Sequence, residues 1–207
     1  MEIVLENIGR RFNQEWIFKS VNYTFKPGEQ YAILWPNGSG KSTLLQLISG
    51  SLGSSEGTIS YTNNEADIDS ETVYKELSLA APYLDLIEEL SLRELIDFHF
   101  KFKKPLAGIN SDKVLEILDL GNVATKTINQ FSSGMKQRTK LALAILSDTP
   151  LLILDEPTAN FDQQGLAWYL KLIEQYTKGR LLIVGSNQET EYNFCKHTLL
   201  LTDYKVF

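Results

Sequence analysis

Trp35-Pro36-Asn37-Gly38-Ser39-Gly40-Lys41-Ser42-Thr43 is the stretch on which the reading of this chain turns. A phosphate-binding loop asks for Gly, four free positions, then Gly-Lys followed by Ser or Thr. Gly40, Lys41 and Ser42 satisfy the second half, and Trp35 stands where the first Gly belongs. The residue types suit a nucleoside triphosphate. Backbone N–H groups of a turn such as Asn37-Gly38-Ser39-Gly40 point inward at negative charge. A helix starting at Thr43 adds the positive end of its dipole. Lys41 brings a full positive charge to the outer phosphates, and the Ser42 hydroxyl is an oxygen ligand of the kind Mg2+ takes. The flanks agree. Glu29 to Leu34 reads as a buried strand entering the loop, and Thr43 to Ile48 as the helix leaving it, closed by Ser49-Gly50.

With 207 residues, 43% hydrophobic and 22% charged, the chain suits one globular domain with a sizeable core, open to division into lobes. A formal charge of -6 implies no general attraction to nucleic acid or lipid. No stretch approaches the ~20 apolar residues that span a bilayer. Met1 to Glu6 is acidic and alternating, unlike a secretory signal. Cys195 is the sole cysteine, which excludes an internal disulfide and points to a cytoplasmic setting. It reads as a small buried apolar residue rather than a nucleophile.

Strands are expected at Glu2 to Ile8, Ile17 to Phe25, Gln30 to Leu34 and Gly57 to Tyr61, with turns at Pro27-Gly28 and Asn63-Asn64. Helical spacing covers Leu92 to Phe102, Ser111 to Leu120 and Ser133 to Leu146, with Ser91, Ser111 and Ser132 or Ser133 as cap candidates. Leu151 to Leu154 and Leu181 to Val184 are continuous apolar runs typical of central parallel strands. A helix from about Gln163 to Tyr176 lies between them, and Leu199 to Leu201 forms the last strand. The expected architecture is an α/β core, residues 1–83 and 150–207, with an N-terminal antiparallel β portion and a helical insert over 84–149.

Asp155-Glu156 closes one of the apolar runs. A carboxylate at a strand end beside a phosphate loop holds Mg2+, and an adjacent one acts on the attacking water. Asp155 takes the metal role and Glu156 the water.

At this point the chain resembles the nucleotide-binding domain of ABC transporters over nearly its whole length, a P-loop NTPase core. Phe131-Ser132-Ser133-Gly134-Met135-Lys136-Gln137-Arg138 is similar to the family signature Leu-Ser-Gly-Gly-Gln followed by a basic residue, Gln and Arg. Ser132 and Gly134 match it, while Ser133 and Met135 depart from it. Asp155-Glu156-Pro157-Thr158-Ala159-Asn160-Phe161-Asp162 resembles the Walker B strand end and D-loop, with Asp162 at a family position. Phe12 falls where the family places an aromatic that stacks on adenine. The resemblance implies ATP and Mg2+ as cofactors and a head-to-tail dimer, in which Ser132 and Gly134 close on the ATP held by the other chain. It also implies a polytopic membrane permease as partner, a cytoplasmic position against the cell membrane, and no direct nucleic-acid contact. The short length is similar to that of compact transporter ATPases, including the haem-exporter kind used in cytochrome c maturation.

Three departures surround the phosphate site. Asn187 stands where the family has its switch His; it can donate a hydrogen bond to a γ-phosphate but carries no charge. His99 and His197 read as structural. Pro82 occupies the place of a Gln that in the family touches Mg2+ and the attacking water, and no Gln lies nearby in sequence. The neighbouring run Asp85 to Leu90 is a candidate contact for a membrane partner. Trp35 either displaces the loop or packs outside it; overpacking costs about 1–3 kcal/mol, roughly tenfold to more than a hundredfold if charged to binding. The expected activity is ATP hydrolysis driving a separate membrane subunit, with slow turnover. The alternative, favoured by Trp35, Pro82 and Asn187 and opposed by Glu156, is a nucleotide-dependent dimerising regulatory module with little or no hydrolysis.

Overall fold

The computed structural model describes residues 1–35, 40–121 and 123–205. Three expected phosphate contacts, Asn37, Gly38 and Ser39, lie outside the described residues. Along the chain run β1 (Glu2–Phe12), β2 (Glu15–Phe25), β3 (Gln30–Leu34), α1 (Lys41–Ile48), β4 (Glu56–Asn63), β5 (Ala66–Ile68) and β6 (Leu77–Ala80). They continue with α2 (Leu92–His99), α3 (Ser111–Leu118), α4 (Ser133–Ile145), β7 (Leu151–Asp155), α5 (Gln163–Tyr176), β8 (Leu181–Gly185), α6 (Glu189–Tyr192) and β9 (His197–Leu200).

Two sheets form. An antiparallel sheet has the order β2-β1-β4-β5, and a second sheet has the order β6-β7-β8-β3-β9. Each pairing within the second is parallel. β7 and β8 are buried at every position, as a sheet covered on both faces requires. Alternation then sends successive side chains to opposite faces. Leu151, Ile153, Leu181 and Ile183 join α1 and the antiparallel sheet in one core. Leu152, Leu154, Leu182 and Val184 join Leu141, Ile145, Tyr169 and Leu172 of α4 and α5 in another. A third cluster is built largely from α2, α3 and α4, which lie between β6 and β7 in sequence.

The strand order places the site. β8 lies between β3 and β7, and Gly185 at its end is in register with both Ile33 and Asp155. The chain leaving β3, the carboxylate ending β7 and the loop after β8 therefore meet at one carboxyl edge, where open α/β sheets bind their ligands.

Several boundaries differ from the sequence reading. β1 runs on to Phe12 and β2 starts at Glu15, because Asn13 takes a left-handed φ of 55° and closes a tight hairpin. β5 and β6 are short and carry little alternation, so nothing in their composition marks them. α2 stops at His99, and Asn110 rather than Ser111 caps α3, its side chain accepting from the Lys113 N–H at 2.8 Å. Ser91 caps α2 in a reciprocal box with Glu94. Cys195 is only partly buried, packed against the α5 core, and burial pushes its thiol up to about 12, which makes it unreactive. Among the described residues no helix is long and apolar enough to cross a membrane.

Candidate nucleotide-binding site

Trp35 follows β3 directly and is 3% exposed. The indole goes neither outside nor into solvent. It packs inward on Phe18, with ring centroids 6.1 Å apart and planes tilted by 52°. Its backbone is tied on both sides: the N–H donates to Asn187 Oδ1 at 3.3 Å, and the carbonyl accepts from Lys41 Nζ at 2.7 Å. Gly40, which precedes α1, has φ 129°. A Cβ there would lie 2.5 Å from Ile17 Cγ2 and 3.4 Å from the Trp35 ring. Both the backbone angle and the crowding by β2 demand glycine.

Lys41, 5% exposed, and half-buried Ser42 and Thr43 form the first turn of α1. Asp155, 1% exposed, ends β7. Neither of its carboxylate oxygens has a hydrogen-bond partner among the described residues. Burial pushes its pKa up to about 6; the Ser42 hydroxyl and the Lys41 charge oppose this, while Glu156 and Glu191 add to it. Ser42 is near enough to favour the charged form without completing a well-formed hydrogen bond, so the carboxylate stays unsatisfied. A buried acid with orphaned oxygens, flanked by a hydroxyl, fits a hard cation. Among the described residues no cluster of three or more His, Cys, Asp or Glu could hold a metal alone.

Glu156 has a left-handed φ of 44°, a conformation that costs about 1–3 kcal/mol off glycine and gathers at working sites. Its N–H donates to Gly185 O at 2.8 Å, and its carbonyl accepts from Ala159 N at 3.1 Å. Asn187 is exposed, just past β8. The structure thus brings Gly40, Lys41, Ser42, Thr43, Asp155, Glu156 and Asn187 to one edge.

The other expected residues sit around it. Ser132 is the N-cap of α4, accepting from the Met135 N–H at 3.3 Å. A Cβ on Gly134 would lie 3.7 Å from Asn160 O, and Gln137 Nε2 donates to Pro157 O at 2.9 Å. The start of α4 is therefore packed on the loop that follows Glu156. Asp162 caps α5, accepting from the Gly165 N–H at 2.8 Å. Phe12, 45% exposed at the hairpin end of β1, has the Arg10 guanidinium 4.6 Å from its ring centroid. His99 is structural, its Nε2 2.9 Å from Ser147 Oγ, and His197 stacks on Tyr31 at 4.8 Å.

Sequence reasoning missed two supports. A Cβ on Gly185 would meet Leu45 Cδ1 at 2.7 Å and Asp155 Oδ1 at 3.1 Å, so this glycine makes room for the carboxylate. Glu191, fully buried, accepts from the Thr158 N–H at 2.8 Å and from the Thr158 hydroxyl, fixing the loop after Glu156. A strand-ending Gly and a Glu in a short helix carry no motif that would single them out.

A family model described as ABC transporter matches residues 18–159. The chain belongs to the ABC transporter family. It is an ATP-binding cassette of that family, with the P-loop NTPase fold. The cytochrome c biogenesis ATP-binding export protein CcmA of Mesorhizobium japonicum is 30% identical over 189 residues, 90% of this chain and 91% of that protein. The lantibiotic transport ATP-binding protein SrtF of Streptococcus pyogenes is 28% identical over 187 residues, 88% and 79% of the two chains. The bacterial ABC transporter cassette MJ0796, solved as a dimer, superposes with a TM-score of 0.80 at 26% identity, covering 96% of this chain and 94% of that one.

Proposed function

We propose that this chain is the ATP-binding and hydrolysing subunit of an ABC transporter, working as a head-to-tail dimer that drives a separate membrane permease from the cytoplasmic side. The observation that carries the reading is the buried, partnerless Asp155 carboxylate between Lys41, Ser42 and Glu156. Ser42 and Asp155 would hold Mg2+, which when bound offsets phosphate charge. Lys41 leaves the Trp35 carbonyl to bind the outer phosphates, and Phe12 stacks on adenine. Glu156 takes the proton of the attacking water as its oxygen bonds to the terminal phosphorus and the bond to ADP breaks. Ser132 and Gly134 close on the ATP held by the other chain, through a helix N-terminus. A division into a core over 1–83 and 150–207 and a helical portion over 84–149 gives the permease a surface near Asp85 to Leu90. SrtF and CcmA, relatives of similar identity, are named for different transport tasks, so their names single out no cargo.

Asn187 lacks the charge of a His, which slows hydrolysis roughly 10- to 1,000-fold. The isolated chain is expected to turn over well below tens per second, and a purified chain reaching that rate alone contradicts this. Light scattering with and without ATP tests the dimer: ATP doubles the mass, and Ser132→Arg abolishes the change. A second reading, a dimerising regulatory module, is favoured by Asn187 being engaged with the Trp35 N–H. Dimerisation without any turnover that depends on Glu156 would support it.

A further inference from the structure

Phe12 has no core to hold it. It stands at the end of the β1–β2 hairpin, where Arg11 to Glu15 are all exposed, and it belongs to none of the three buried clusters. A phenyl ring in such a place loses rotamer freedom when a ligand stacks on it, and that loss weakens binding. Here a neighbour has already ordered the ring. The Arg10 guanidinium lies over it, 4.6 Å from the centroid. One face of the ring is thereby covered, and the other is left for a flat ligand.

Arg10 is in turn fixed. It is half-buried, and its Nη1 donates to Gly53 O at 2.9 Å. Its Nε is buried with no hydrogen-bond partner among the described residues, so one carbonyl and one ring place the guanidinium. Gly53 belongs to the segment that leaves α1. That segment folds back on the helix, where Ser51 N–H and Leu52 N–H donate to Gln46 O at 3.0 and 3.2 Å. It also binds β1 twice more: Ser55 N–H donates to Gly9 O at 2.8 Å, and Arg11 N–H to Ser55 Oγ at 3.2 Å. Arg10 therefore ties the Phe12 ring to the helix that opens with Lys41. The ring and the phosphate-binding end of α1 share one scaffold.

We propose that Arg10 is a positioning residue for the purine base. Its guanidinium backs one face of the Phe12 ring, sets that ring relative to α1, and leaves the opposite face to stack on adenine. The inference rests on the role given to Phe12 above. Stacks of this kind are ordered by the planar guanidinium, which a flexible ammonium would not reproduce.

The test separates the base from the phosphates in the full chain. Calorimetry measures the dissociation constants of ATP and of inorganic tripolyphosphate, each with Mg2+, and their ratio reports what the nucleoside adds. In the wild type ATP binds more tightly than tripolyphosphate. Phe12→Ala is expected to cut the ratio by about tenfold, the loss of one stacked base. Arg10→Met keeps an apolar stem without the cation; it is expected to cut the ratio about two- to tenfold and to leave tripolyphosphate binding within about twofold of wild type. Added to Phe12→Ala, the same substitution should change the ratio no further, because no ring remains to be backed. A structural or purely electrostatic role for Arg10 would instead weaken both ligands together. A wild-type ratio in Arg10→Met, equal losses for the two ligands, or the same cut with and without Phe12 each overturn the proposal and leave the ATPase reading standing. A wild-type ratio in Phe12→Ala overturns the adenine role of Phe12 and the proposal with it. A wild-type chain that binds neither ligand overturns the ATPase reading as well.

Discussion

Asp155→Asn exchanges a buried charge for a neutral amide of the same shape, and the structure fixes what that should do to stability. The Asp155 carboxyl is raised from the ordinary 3.8 to about 6, chiefly by burial. At about 1.4 kcal/mol per pH unit this amounts to about 3 kcal/mol. For an acid whose native pKa lies above its unfolded value, the native chain keeps a proton the unfolded chain has released. Stability therefore falls as pH rises between about 4 and 6 and stays low above that. Asparagine does not titrate, so the wild-type minus variant difference isolates the charge. Urea unfolding of metal- and nucleotide-free protein should show that difference moving against the wild type by about 2 kcal/mol between pH 4.5 and 7.5. Mg2+ with ATP should then stabilise the wild type and leave Asp155→Asn almost unchanged. Parallel pH profiles for the two proteins would refute the claim that this carboxylate is buried without a partner.

Trp35→Gly should cost about 3–5 kcal/mol in urea unfolding, the range for emptying an aromatic site in a core. ATP affinity should change less than tenfold, because the bonds to Asn187 and Lys41 use backbone atoms of residue 35. A variant of unchanged stability would place the indole outside the core. Burial and the Lys103 charge push His99 down to about 4. A histidine depressed in this way contributes stability that is lost as pH falls from about 6.5 to 4, up to about 3 kcal/mol. His99→Gln should flatten that acid limb in the same urea series, and an unchanged limb would contradict the burial.

The long, strongly patterned pieces of this chain were legible because their physics is local. The apolar runs of β7 and β8, the spacing of α4 and α5, and the Gly-Lys-Ser start of α1 need no distant partner to be read. Asp155 stands out in the sequence because it closes an apolar strand, and the structure shows it buried at the end of β7. β6 was missed because four residues, Leu77-Ser78-Leu79-Ala80, become a strand only through pairing with β7. Ser78 is tolerated there because Arg180, distant in sequence, donates to it at 3.0 Å. The inward turn of Trp35 depends on space beside Phe18, which is a tertiary fact.

Glu156 is proposed to activate water against ATP held at Lys41, Ser42 and Asp155. Phosphate release by the wild type and by Glu156→Gln, measured side by side with ATP and Mg2+, addresses it directly. The expected result is slow, Mg2+-dependent release by the wild type and a loss of at least about a hundredfold in Glu156→Gln, with ATP still bound and the dimer accumulating. Equal release by the two proteins would contradict it.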